Sequence, residues 1–69
     1  MQLTLEQTEK LLKEDIHFNS LGLSMLATRL RIFHERDPIK HTLEDCRTAI
    51  NAFLDKYGNA VTKDLEKIK

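Results

Sequence analysis

The stretch that decides the fold is TLEDCRTAINAFLDKYG, Thr42 to Gly58. Leu43, Cys46, Ile50, Phe53 and Tyr57 recur at spacings of 3, 4, 3 and 4, the repeat of one face of an α-helix. Glu44, Thr48, Asn51 and Asp55 recur at 4, 3 and 4 and make the opposite, polar face. Thr42 is the expected N-cap, and Glu44 and Asp45 put negative charge at the positive end of the helix dipole. Gly58 is expected just past the end, where glycine takes positive φ without strain. A helix over about 43–57 is predicted.

Toward the N-terminus the same logic repeats. Leu23, Leu26, Leu30 and Phe33 are spaced 3, 4 and 3, with Ser24, Thr28, Arg31 and Glu35 opposite. Met25 and Ile32 widen the apolar side, as a helix touching two neighbours requires. Asn19 or Ser20 supplies a cap, Gly22 sits in the cheap first turn, and Asp37-Pro38 stops the helix, giving about 20–36. Thr4 and Gln7 have the form of a capping box, opening a helix over about 4–14. Its apolar edge is Leu5, Leu11, Leu12 and Ile16, with Glu6–Lys10 and Glu9–Lys13 at the favourable i, i+4 spacing. A short last helix, about 60–68, is expected from Val61, Leu65 and Ile68, with Asn59 as its cap. No segment alternates with period 2. The expectation is an all-α fold, one domain over 1–69: three helices and a short fourth.

Composition sets further bounds. Sixty-nine residues allow one domain and no large enclosed pocket. Lys plus Arg and Asp plus Glu each number 11, a balance uncommon in proteins that live on nucleic acid. No run approaches the roughly 20 apolar residues of a membrane span. The opening residues Met1 to Glu6 lack the basic and apolar regions of a signal peptide, and a lone Cys46 suits a reducing cytosol, so a soluble cytoplasmic protein is expected. A chain this short has little core to set against the entropy of ordering it. Self-association as a homodimer, or a bound protein partner, is therefore one expectation, and closure within the monomer is the other.

Chemistry has few footholds. His34, His41 and Cys46 are separated by 7 and 5 positions, which is not zinc-ligand spacing, and His17 lies elsewhere. Cys46 reads as a core thiol. Two glycines cannot build a phosphate loop, and Ser20 and Ser24 have no Gly-x-Ser-x-Gly elbow. The carboxylates read as solvated. No catalytic, metal or cofactor site is expected, and no enzyme.

Leu21-Gly22-Leu23-Ser24-Met25-Leu26-Ala27-Thr28-Arg29-Leu30 resembles the serine segment of acyl and peptidyl carrier domains, which are small four-helix proteins. The resemblance covers about ten residues and implies Ser24 as a phosphopantetheine attachment point. Leu23 stands where that family has Asp or His, and the stretch from Ser24 to Thr42 is shorter than the family's long loop.

Charge is uneven along the chain. Residues 29–41 carry four bases and two acids, while residues 1–18 carry two bases and four acids. Arg29, Arg31, Arg36 and Lys40 form a candidate basic patch, which makes a nucleic-acid-associated regulator an alternative reading. Helix 43–57 argues against a helix-turn-helix reader, because it presents Glu44 and Asp55 where bases and phosphates would lie. The expected function is a small helical interaction module, a regulator or adaptor. Its candidate interaction residues are Arg29, Arg31, Arg36, Lys40, Met25 and Ile32.

Overall fold

The computed structural model describes residues 2–69. It contains α1 (Leu5–Lys13), α2 (Leu21–Arg36), α3 (Leu43–Tyr57), a 3-10 turn over Gly58–Ala60, and α4 (Thr62–Glu66). No strand occurs among the described residues. The fold is a small all-α bundle in which α1, α2 and α3 each touch the other two. Its radius of gyration is 11.0 Å, and a chain of this length is expected to give about 11 Å.

Local chemistry sets the helix starts. At α1 the capping box closes: Gln7 N–H donates to Thr4 Oγ1 at 3.1 Å, and Thr4 N–H donates to Gln7 Oε1 at 3.0 Å. Ser20 Oγ accepts from Leu23 N–H at the start of α2, and Thr42 Oγ1 accepts from Asp45 N–H at the start of α3. The loop after α2 is a tied turn, since Asp37 accepts Lys40 N–H at Oδ1 and His41 N–H at its carbonyl.

Leu11, Leu12, Leu23, Ala27, Cys46, Ile50 and Leu54 form the centre of the core, and Val61, Leu65 and Ile68 close one end. The C-terminal segment therefore docks on its own chain. Leu54, Val61, Leu65 and Ile68 are all buried. Leu26, Leu30, Leu43 and Phe53 pack against this core while half-buried.

Several expectations fail for identifiable reasons. Gly58 does not take positive φ: at φ −54° it continues helically into the 3-10 turn, so α3 ends without a left-handed cap. Asn59 lies inside that turn and caps nothing; α4 starts after Val61, with no side-chain cap, and is shorter than 60–68. Leu5 is exposed, and the buried leucine at this end is Leu3, which precedes the helix. Thr8, on the same face as Leu11 and Leu12, is fully buried; its hydroxyl is satisfied by the Thr4 carbonyl at 2.9 Å. Phe33 and Tyr57 end their stripes as exposed rings, each with one face on a single ring neighbour, His41 and Phe53 respectively. Of the two expected ion pairs on α1, Glu9–Lys13 forms at 3.1 Å, whereas Lys10 turns to the carbonyl of Lys69.

Candidate functional site

Two buried polar side chains fasten the bundle. Asn51, read as part of the wet face of α3, is 8% exposed. Its Oδ1 accepts Leu3 N–H at 2.8 Å, and its Nδ2 donates to the Leu3 carbonyl at 3.4 Å. One carboxamide thus answers both backbone groups of a residue 48 positions away. Asp64 is 2% exposed, against the expectation of solvated carboxylates. Its two oxygens accept Asn19 N–H at 2.7 Å and Ser20 N–H at 2.9 Å. Lys67 lies 3.5 Å from Asp64 and donates to the His17 carbonyl at 2.7 Å. Burial pushes the Asp64 carboxyl up, but the two N–H donors and the Lys67 charge outweigh it and hold it below the usual carboxylate range. These clamps fasten the segment before α1 and the connection before α2. They are structural.

Two of the three histidines, His34 and His41, and the cysteine are also engaged within the fold. A carbonyl only accepts, so His34 Nδ1 carries the proton in its 2.7 Å contact with the His41 oxygen. The His41 ring stacks on Phe33 with centroids 5.2 Å apart. Both histidines close the α2–α3 loop. Cys46 is buried, and burial together with the neighbouring Asp45 pushes its thiol up, away from the reactive thiolate. Among the described residues, no group of three His, Cys, Asp or Glu stands close enough to hold a metal. Nor is any helix long and apolar enough to cross a membrane.

The outward face of α2 is different. Leu21, Met25 and Ile32 are 74%, 54% and 41% exposed, and Phe33 lies beside them. Leu21, Met25, Thr28 and Ile32 are spaced 4, 3 and 4, so α2 carries a second helical seam on the side away from Leu23 and Ala27. An open groove of about 390 Å³ runs along it, lined by Ser24, Met25, Thr28, Arg29, Ile32 and Phe33. A second open apolar hollow, of about 530 Å³, lies between the start of α2 and the Phe53 and Tyr57 rings, with no charged residue in its lining.

The sequence-predicted site residues do not all gather on this face. Met25, Ile32 and Arg29 share the groove. Arg36 lies seven positions beyond Arg29 on the same side of the helix. Arg31 turns toward α1, where it lines a polar hollow of about 220 Å³ with Glu14, Asp15 and His17. Lys40 is exposed on the following loop. The four cations are thus divided between two sides of α2 and do not form one continuous basic track. Among the described residues, none of the four forms an intrachain ion pair. Ser24 lies at the fourth position of α2, half-buried between the groove and the polar hollow.

No family model, curated protein or solved structure matches the chain. The α2 seam had a signal in the sequence, the widened apolar side at Met25 and Ile32. Leu21 and Phe33 belong to it as well. In the sequence Leu21 falls within the carrier-like segment and carries no interaction signal of its own, and Phe33 belongs by spacing to the inner stripe.

Proposed function

We propose that this chain is a small helical interaction module, a regulator or adaptor with no reaction centre of its own. It binds another protein through the outward seam of α2. The observation that carries the reading is the location of the exposed apolar side chains. A small bundle scatters single exposed hydrophobics without consequence. Here Leu21, Met25 and Ile32 fall in register on one helix, beside a groove edged by Phe33, whereas the other exposed large hydrophobics, Leu5, Ile39 and Tyr57, lie on three different elements. An aligned, half-open stripe of this kind is how helices meet partners. Among the described residues every buried side-chain polar atom has a partner within the fold, so the polar interior offers nothing further to a ligand.

The test is site-specific. A photo-reactive amino acid is placed at position 32 and, in parallel, at position 56 on exposed α3, and the protein is irradiated in its native cells. Discrete covalent adducts are expected from position 32 alone, and Met25→Glu removes them. Equal labelling at both positions, or none at 32, refutes the reading.

A further inference from the structure

The charges that border the α2 seam say what kind of partner fits it. With Met25 taken as the first core position of a heptad, Thr28, Ile32 and Glu35 follow as core positions, and Leu21 precedes them. The two positions that flank such a core and decide partner choice are then occupied by Arg29 and Arg36 on one side and by Ser24 and Arg31 on the other. Every charged flanking position is therefore an arginine. Arg29 and Arg36 are exposed, and Arg31 is half-buried. Acids do stand nearby: Glu35 at the far end of the core line, Glu14 and Asp15 in the hollow beside Arg31, and Asp37 in the turn. None of them lies on the Arg29–Arg36 flank, and none forms an ion pair with these arginines.

This arrangement discriminates between occupants. A second copy docked parallel through the same seam places Arg31 against the other copy's Arg36. Docked antiparallel, it faces the Arg29–Arg36 flank with the same flank. Like charges meet either way, and such juxtapositions penalise the wrong partner. An apolar helix edged with carboxylates meets the opposite situation, since each flanking arginine gains a partner and guanidinium pairs well with carboxylate.

We infer that the α2 seam, if it is the binding face proposed above, takes an acidic amphipathic helix of another protein, with aliphatic residues on the core line and Asp or Glu beside them, and not a second copy of this chain.

Two synthetic three-heptad peptides test it against the full-length protein. Both have leucine at the core positions; one has Glu at all flanking positions and its twin has Lys. Binding is followed by fluorescence anisotropy of labelled peptide, and circular dichroism verifies that every variant is folded. The Glu peptide is expected to bind and to weaken as salt rises from about 0.05 to about 0.5 M, while the Lys twin stays free. Ile32→Glu should cost roughly tenfold or more in affinity. The double reversal Arg29→Glu with Arg36→Glu, which leaves the apolar line intact, should switch preference to the Lys twin. Three results overturn the inference: equal binding of both peptides, no binding of the Glu peptide, or preference unchanged by the reversal. A sedimentation mass near twice 8.1 kDa that Ile32→Glu returns to the monomer also overturns it, because the occupant is then a second copy. Adducts that persist at position 32 while the Glu peptide fails would refute the acidic partner alone. Loss of both would refute the binding face itself.

Discussion

Removing the carboxamide of Asn51 should unfasten the N-terminal segment. In Asn51→Ala the buried N–H and C=O of Leu3 lose both partners at once, and Leu3 itself is 1% exposed. Leaving a buried donor unsatisfied costs about 1–3 kcal/mol. If the segment peels away to find water, the chain instead forfeits the burial of one leucine, about 1.5–3 kcal/mol. Relaxation takes the cheaper route, so a loss of about 2–3 kcal/mol is expected. A chain of this length has a total stability of about 3–10 kcal/mol, so the loss is a large share of it. The melting temperature should fall by about 10–20 °C, at about 4–8 °C per kcal/mol for so small a domain. Thermal and urea unfolding by far-ultraviolet circular dichroism measure it. Asn51→Leu fills the same space without the hydrogen bonds and should also destabilise, which separates polarity from packing. The decisive comparison is a double-mutant cycle with Leu3→Ala. Once Leu3 has been truncated, Asn51 has less to hold, and the two losses should fall short of their sum by about 1 kcal/mol. Additive losses, or an Asn51→Ala cost under about 0.5 kcal/mol, would show that the clamp does not bear on stability.

The second clamp gives a pH dependence of definite sign. Because the folded Asp64 carboxyl lies below its ordinary value, its contribution is fully present above about pH 4 and is lost as pH falls through the lowered folded value. Asp64→Asn should reduce the urea midpoint at neutral pH and flatten the acid side of the stability curve, and an unchanged acid limb would contradict this. Cys46 should react slowly with a thiol reagent until denaturant opens the core, since burial keeps the sulfur protonated and covered; prompt labelling of the native protein would place it elsewhere. Gly22→Ala should leave stability unchanged or raise it by up to about 0.5 kcal/mol, because a Cβ there meets the Phe53 ring at 3.4 Å, a contact a flexible ring accommodates. A clear loss would show that this approach is too tight.

Most of the fold was legible because it rests on periodicity. Leu23, Leu26 and Leu30 of α2 pack into the same core as Cys46, Ile50 and Leu54 of α3, and hydroxyl caps at Thr4, Ser20 and Thr42 mark where the helices start. The failures come where a residue's role depends on something outside its own helix. Asn51 shares its spacing with Glu44, Thr48 and Asp55, and only the docking of Leu3 turns it inward. Asp64 is one acid among many until the Asn19–Ser20 backbone reaches it from 45 residues away. Thr8 has a polar hydroxyl and so gives no apolar signal in the sequence, although a helix absorbs that hydroxyl locally. Of the α2 face, Met25 and Ile32 could be read in advance. The separation of Arg31 from Arg29 and Arg36 could not, because it depends on where α1 lies.

Asn51 and Asp64 also govern when the molecule becomes whole. Each ties backbone to a side chain made about 45 residues later, which is far apart for a helical protein and slows closure relative to bundles knit by near neighbours. During synthesis, α1 and α2 must wait as an unlatched pair until residue 64 has been added. For that interval the half of the chain that holds α1 and α2 is open to proteases and chaperones, whatever the stability of the finished protein.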